Sequence, residues 1–365
     1  MRIAVQVLDG ALDNAFRQAL YSRTSKSVLD LENVPDMEKY YIGYGHDSIG
    51  DNANLTVYVE DVPIVVAKAL QDNPLYNGIE TSTRYIDFSF NDDPEINLMI
   101  NNYKHALDTI QRALPKSKDN TLIALDIARG LLPVMAKTKL SMTMSFRAMR
   151  YHLHDLLLHP FDVVCETATA ILEELTNAGY GKYFTQPSQL ESKEWYATKF
   201  FSDISPLWYK NETYGSSVFT GVLDYGSYRD LQRHRRMYNK SSMPIYTKDL
   251  GLNSFYVDNY KRFGINLDLD LYTQSELKYS TLMINVDVIM ELKVAQLFYL
   301  TKLRTSSKVH PTLRDFMLNL VNSLDDALPF KARLLETIPT DYRSRQNDDI
   351  FLNGKSISGN DHNGS

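Results

Sequence analysis

The chain has 365 residues, of which 44% are hydrophobic and 23% are charged, a composition that excludes a wholly disordered, collagen-like or coiled-coil protein. Its formal net charge of -6 at pH 7 provides no overall basic field for nucleic acid, so any anion has to be bound locally. The single cysteine, Cys165, excludes a disulfide within the chain and a zinc site built from thiolates. The first residues lack the layout of a signal peptide, and no apolar run is long enough to span a membrane, so we expect a cytoplasmic protein.

Local patterns predict two strands and six helices in the first half of the chain. The strands are β-branched and apolar, and Pro63 suits the first turn of the helix that follows the second strand. In chain order the elements are a strand at 3–8, a helix at 9–23, a strand at 53–59 and helices at 62–71, 95–114, 119–132, 133–158 and 161–178. Glycines at 179 and 181 then mark the end of this half.

The second half repeats this order. It has a strand at 217–223, an arginine-rich segment at 228–236 and two long apolar-periodic helices at 283–304 and 310–325. We therefore predict an α+β fold made of two copies of one unit, each a small, mostly antiparallel sheet with long helices. The first unit is expected at 1–180 and the second at 181–343, while the tail at 344–365 has the composition of a disordered segment.

Three short polar motifs stand out in the first half. Residues 43–48 read Gly-Tyr-Gly-His-Asp-Ser, which also suits a plain turn with a capping serine. Residues 80–85 place hydroxyls and Arg84 close enough together to hold a phosphate, although the same residues also suit a solvated loop. Arg129 lies in an apolar stretch and needs a partner there, which an internal salt bridge would also supply.

The strongest signal is the segment at 229–236, Arg-Asp-Leu-Gln-Arg-His-Arg-Arg. On a helix, Arg229, Arg233 and Arg236 share one face and repel one another unless an anion is bound. A solvated basic face and an RNA-binding patch are the alternatives. Arg304, in the pair Leu303-Arg304, ends a long apolar helix and would by itself be read as a basic C-terminal cap.

Taken together, these segments resemble the flavin-dependent thymidylate synthases. The first half carries Gly45-His46-Asp47-Ser48, Ser82-Thr83-Arg84-Tyr85, Ala128-Arg129 with Leu132-Pro133, and Ser145-Phe146-Arg147 where the family has Asn-x-Arg. The second half carries Arg233-His234-Arg235 and Leu303-Arg304. The order of these motifs, more than any one of them, supports the resemblance.

Each half departs from the family pattern in a complementary way. Where the family has the basic triplet Arg-His-Arg, the first half reads Asp72-Asn73-Pro74. The second half keeps this triplet as Arg233-His234-Arg235 but has no arginine after the serines that follow it. In the family one subunit gives the triplet and the Leu-Arg arginine. Its neighbour gives the Ser-x-Arg segment and the arginine of the Ala-Arg motif. The two halves together therefore retain one complete site, which indicates a working enzyme.

The resemblance implies methylation of dUMP to dTMP, with FAD as hydride carrier and methylenetetrahydrofolate and NADPH as co-substrates. It implies a homodimer that mimics a tetramer, and no metal. The nucleotide is expected on Glu80, Thr81, Ser82, Thr83, Arg84, Arg129, Arg233 and Arg304. Of these, Arg304 faces the uracil and is the catalytic residue, because it stabilises negative charge as C5 becomes nucleophilic. FAD is expected on Arg233, His234, Arg235, Ser145 and Arg147.

Two other functions stay open. A diverged site could trap the one-carbon unit with water and make a 5-hydroxymethyl pyrimidine, or it could act on another pyrimidine nucleotide. A non-enzymatic RNA-binding protein would use the arginine-rich segment, but would need aromatic residues interleaved with it. Cys165 lies in an apolar helix and is expected to be a packing residue, so no covalent cysteine mechanism is implied.

Overall fold

A computed structural model describes residues 1–31, 34, 36, 38–83, 88, 93–185, 209–211, 216–234, 237–326, 328, 330–339, 351–352 and 355–356. These residues belong to two compact units. Unit 1 comprises Met1–Glu80 and Lys137–Lys199, and unit 2 comprises Thr81–Ala136 and Phe200–Ser365. Residues 81–136 thus group with unit 2 although they lie in the first half of the sequence. The predicted repeat boundary at 180 concerns similarity along the sequence, and it stays a prediction.

The elements are numbered in chain order across both units. The strands are β1 Arg2–Val7, β2 Asn54–Pro63, β3 Asn77–Glu80, β4 Lys137–Ser145, β5 Tyr209–Asn211, β6 Ser216–Asp224, β7 Tyr238–Ser241, β8 Asn285–Lys293, β9 Phe351–Leu352 and β10 Lys355–Ser356. The α-helices are α1 Ala11–Tyr21, α2 Ile64–Gln71, α3 Pro94–Ala113, α4 Lys118–Ala128, α5 Phe146–Leu156, α6 Asp162–Asn177, α7 Tyr225–Gln232, α8 Ser254–Arg262, α9 Leu269–Tyr272, α10 Val294–Arg304, α11 Pro311–Asn322 and α12 Lys331–Glu336. None of the described helices is long and apolar enough to cross a membrane.

Unit 1 is built on a four-stranded antiparallel sheet in the order β1-β2-β4-β3. Alternate residues of β2 are fully buried, among them Leu55 and Val57, which pair with Met144 and Met142 of β4. This alternation places one face of the sheet in the core. Ser145 ends β4 and caps α5, where its Oγ accepts a hydrogen bond of 3.2 Å from the backbone N–H of Ala148.

Unit 2 is built on a second four-stranded antiparallel sheet, in the order β5-β6-β8-β7. Buried residues of β6 and β8 pair across it, as in Leu223 with Val286 and Phe219 with Met290. The helices α3 and α4 from the first half of the sequence also belong to this unit. Asp93 caps α3 by accepting hydrogen bonds from two backbone N–H groups, and Pro94 occupies its first turn.

The two sheets share one topology. In each, the strand order in space is first, second, fourth, third, and helices follow directly on the second strand and on the fourth. The helix after the second strand has eight residues in both units, and its C-cap is Asp72 in unit 1 and Arg233 in unit 2. The α+β class with small antiparallel sheets is confirmed, and the shared order is what two copies of one unit predict.

Two of the predicted long helices are wrong in their first halves. Residues 133–158 and 283–304 each begin instead with a strand, β4 or β8, that runs straight into a helix. Both strands bury alternate residues, a period of two rather than 3.6. The strand β4 is rich in methionine and lysine, which favour helices on propensity alone, and pairing with β2 overrides that preference.

Candidate functional site

The arginine-rich segment forms the end of α7 in unit 2. The strand β6 ends at Asp224, whose carboxylate caps the helix by accepting a hydrogen bond of 2.9 Å from the backbone N–H of Ser227. The helix ends at Gln232, so that Arg233 is its C-cap and His234 follows. Cations are favourable at this end because the last helical carbonyls are unpaired there.

Asp230 lies at the centre of three arginines. Its Oδ2 accepts a hydrogen bond of 3.1 Å from Arg129 Nη1, and its Oδ1 lies 3.6 Å from Arg233 Nη2. Its backbone carbonyl accepts a third contact, of 2.7 Å, from Arg304 Nη2. Burial raises the pKa of the Asp230 carboxyl, but Arg233, Arg129, Arg304 and Arg229 outweigh it and hold the pKa far below its usual range. The anion that the arginines require is therefore supplied by the segment itself.

Arg129 is enclosed by protein groups. It is only 8% exposed, and besides Asp230 it donates from Nη2 to Ser227 Oγ at 3.0 Å and from Nε to the Tyr256 hydroxyl at 3.4 Å. The neighbouring Gly130 allows this packing, since a Cβ there would lie 2.4 Å from the Tyr256 ring. The internal salt bridge that the sequence left open for Arg129 is thus present, to Asp230.

A buried polar network supports Arg129 from behind. The Tyr256 hydroxyl and Thr312 Oγ1 donate to the two carboxylate oxygens of Asp224, at 2.9 and 2.5 Å. His310 must carry its proton on Nε2, because this atom contacts the Asp126 carbonyl at 3.1 Å and a carbonyl can only accept. Burial, followed by the nearby charge of Arg129, lowers the pKa of His310 to about 4, so the ring is neutral at pH 7.

His234 is also neutral, for a related reason. Arg304 Nε donates to His234 Nε2 at 2.6 Å, and a guanidinium can only donate, so this ring nitrogen is unprotonated. Burial and the charges of Arg304 and Arg233 lower the pKa of His234 to about 3. The ring packs edge-on against Tyr299, with 5.7 Å between centroids. His234 thus holds Arg304 in place and offers no positive charge to a phosphate.

Glu80, in unit 1, is tied to the protein as well. Its Oε2 accepts hydrogen bonds of 2.5 Å from Lys68 Nζ and 3.0 Å from Gln71 Nε2, and the Lys68 and Glu80 side chains are 3% and 4% exposed. In this structure Glu80 is thus half of a buried ion pair. Thr81, Ser82 and Thr83 follow it and are partly buried, whereas Arg84 lies outside the described residues.

The residues predicted to hold FAD from the first half also lie in unit 1. Ser145 is occupied in capping α5. Arg147, in the first turn of α5, pairs with Asp51 at 2.9 Å, and both side chains are nearly half exposed. Arg147 is therefore accessible to an anion. Arg235 falls outside the described part of the chain.

The structure thus joins some of the predicted residues and adds others. Arg129, Arg233, His234 and Arg304 meet around Asp230 in unit 2. Six supporting residues were not predicted from the sequence as part of the site: Asp230, Asp224, Ser227, Tyr256, His310 and Thr312. Asp230 had a signal, as the one acidic residue inside the arginine-rich segment, and His310 and Thr312 lie in a short polar stretch just after Arg304. Within the described residues, no group of three or more His, Cys, Asp or Glu side chains could hold a metal ion.

The chain is similar to known proteins over part of its length. The profile of the family described as "Thymidylate synthase complementing protein" matches residues 9–175. Among solved structures, the chain is similar to the UMP/dUMP methylase PolB from Streptomyces cacaoi bound with 5-Br dUMP. The two are 19% identical with a TM-score of 0.37, and the match covers 50% of this chain and 95% of that one. The same enzyme bound with 5-Br UMP gives 19% identity and a TM-score of 0.34, over 50% and 94%. No curated protein matches.

Proposed function

We propose that the chain is a thymidylate synthase-like enzyme that methylates dUMP to dTMP at a site built from both halves of the sequence. The match of residues 9–175 to the family of thymidylate synthase complementing proteins supports this proposal. One observation carries this proposal. Arg129, from the first half, contacts the same carboxylate as Arg233, from the second half, and Arg304 contacts the backbone of that residue. One arginine of the first-half set thus lies beside two arginines of the second-half set within one chain.

The side chains differ in what they can offer a nucleotide. Arg233 is 46% exposed, so its guanidinium can bind a phosphate with charge-assisted hydrogen bonds. Arg304 is held by His234 and by the Asp230 carbonyl, which orients its fork before a ligand arrives. An oriented cation is the group that stabilises negative charge developing on a uracil ring as C5 becomes nucleophilic.

Each unit also offers an exposed arginine that could pair with a flavin phosphate. Arg233 and Arg147 are accessible to phosphate oxygens, and neutral His234 suits a ring contact better than a phosphate contact. FAD would supply the hydride chemistry, with methylenetetrahydrofolate as carbon donor and NADPH as reductant. The chain's own residues then bind, orient and stabilise charge, and none is required as a covalent nucleophile.

The arrangement argues against the RNA-binding alternative. Arg229 is buried, and Arg233 shares its charge with Asp230, so this part of the segment is not an exposed basic face. An RNA-binding patch relies on accessible cations that release counterions from the phosphate backbone.

The test is turnover by the purified protein. We expect flavin absorbance that shifts on adding dUMP, and dTMP as the product identified by mass spectrometry. A 5-hydroxymethyl product would replace the proposed reaction by the alternative one, and the absence of both flavin and product would refute the proposal.

Two variants test whether both halves contribute. Arg84→Ala and Arg233→Ala are each expected to abolish turnover, because removing a charged partner from a desolvated phosphate site costs about 2–5 kcal/mol. Arg112→Ala is the matched control, since Arg112 is exposed on α3 and pairs with Asp108 on the same helix. Near-normal activity in either of the first two variants would contradict the composite site.

A further inference from the structure

Asp230 is the meeting point of the arginines. Its carboxylate contacts a buried guanidinium, Arg129, and an exposed one, Arg233. The exposed fraction of the side chain rises from 10% in Arg129 through 23% in Asp230 to 46% in Arg233. The carboxylate therefore connects the interior of unit 2 to the accessible end of α7. A charged residue in this place either positions the arginines or competes with their ligand.

The contacts of Arg129 limit what it can do. Its Nη1, Nη2 and Nε each donate to a protein group, namely Asp230, Ser227 and Tyr256. Two of those partners are tied in turn to Asp224, Ser227 through its backbone N–H and Tyr256 through its hydroxyl. Swinging Arg129 out to a nucleotide would leave these buried groups unpaired, which is costly. Arg129 is built to hold Asp230 in place.

Local charge favours positioning over competition. Four arginines act on the Asp230 carboxylate and His234 is neutral, so positive charge exceeds negative charge at this end of α7 even after Asp224 and Asp126 are counted. A positive excess favours a phosphate monoester, which carries close to two negative charges at neutral pH. Without Asp230 the cations would repel one another, and Arg233, which is exposed and long, would lose the contact that restricts it.

We propose that Asp230 is a positioning residue that orients Arg233 for the phosphate of the nucleotide, and that Arg129 acts through Asp230 and does not touch the nucleotide. This inference rests on the proposed function for the identity of the ligand. It changes the role expected of Arg129 from a phosphate ligand to a support.

A double-mutant cycle tests the proposal. Asp230→Asn removes the charge and keeps the shape, and Arg129→Lys keeps the charge and removes the planar fork. Each is expected to raise the KM for dUMP about tenfold with a smaller change in kcat, and the double variant is expected to be no worse than the poorer single one. Asp270→Asn, at an exposed aspartate of unit 2, is the control and should leave both constants unchanged.

Three results would overturn it. A double variant whose KM rises by the product of the two single effects would show that Arg129 contacts the nucleotide independently. A lower KM in Asp230→Asn would make Asp230 a competitor of the phosphate. An unchanged KM would leave it without a role in binding.

Stability and binding are separated by further measurements. Urea unfolding of every variant shows whether it is folded. If Asp230→Asn folds poorly, Asp230→Glu, which restores the charge, takes its place and is expected to recover part of the affinity. If the wild-type protein makes no product, the proposed function fails, and the cycle is run on the calorimetric affinity for inorganic phosphate. The same non-additivity is then expected, and additive losses would refute the inference.

Discussion

Replacing His310 with glutamine is expected to make the protein less sensitive to acid. The His310 ring is buried in unit 2, where its Nε2 donates to the Asp126 carbonyl at 3.1 Å. Its pKa falls from 6.5 to about 4, because burial and then the charge of Arg129 disfavour the protonated form. Between these two values the unfolded chain binds a proton that the folded chain does not. Stability is therefore lost as the pH falls through this window.

The size of the effect follows from the shift. A gap of about 2.5 pH units corresponds to about 3 kcal/mol once the pH is below both values, at about 1.4 kcal/mol per unit. Most of this develops between pH 7 and pH 5, where the linkage relation gives a loss of about 2 kcal/mol. Glutamine keeps an N–H donor for the Asp126 carbonyl but does not titrate.

Urea unfolding at pH 7, 6 and 5 measures the prediction. The His310→Gln variant is expected to lose about 2 kcal/mol less than the wild type across this range. His234, with a pKa near 3, contributes a similar loss that both proteins keep. His105→Gln, at an exposed histidine of α3, is the control and should follow the wild type. A His310→Gln protein with the wild-type pH dependence would refute the reasoning.

Three further predictions concern other parts of the molecule. Lys68→Met should cost about 3–5 kcal/mol of unfolding free energy because it removes the ammonium group paired with the buried Glu80 carboxylate, and adding Glu80→Gln should restore most of it. Urea unfolding that shows no loss in the single variant would contradict the buried pair. Cys165→Ala should cost about 1 kcal/mol through packing and leave the rate of dTMP formation intact, so an inactive but folded variant would bring back a covalent mechanism. Light scattering and calorimetry should find a homodimer with one FAD and one nucleotide per chain. The reason is that Asp72 occupies in unit 1 the place of Arg233 in unit 2, and a carboxylate there repels a pyrophosphate. Two FAD per chain would show that the first half binds flavin through other residues.

The fold was predictable wherever a segment carried one clear period. The helix at 62–71 and the strand at 217–223 were found within a few residues of α2 and β6. The strands β4 and β8 were missed because each runs without a break into an apolar helix. The strand and the helix read together as one long apolar segment, and only the partner strands, distant in sequence, distinguish the two periods.

The site was predictable in its charges but not in its pairings. The arginines of the segment at 229–236 were expected to need an anion, but the anion was sought in a ligand, and Asp230 between them was overlooked. A partner was expected for Arg129, yet nothing local identifies one, because Asp230 lies 101 residues further along the chain. The sequence could not assign Tyr256 and His310 to this network, since buried polar networks are assembled by tertiary contacts.

The central claim is that one chain combines arginines from both halves into a site for dUMP. The most direct measurement is complementation between two inactive variants, Arg84→Ala and Arg233→Ala, mixed under conditions that allow subunits to exchange. If each chain completes its own site, as the contact of Arg129 with Asp230 supports, each variant chain lacks one required arginine and the mixture stays inactive. Recovery of about a quarter of the wild-type dTMP formation would show that the two halves of a site come from different chains, and would contradict the claim.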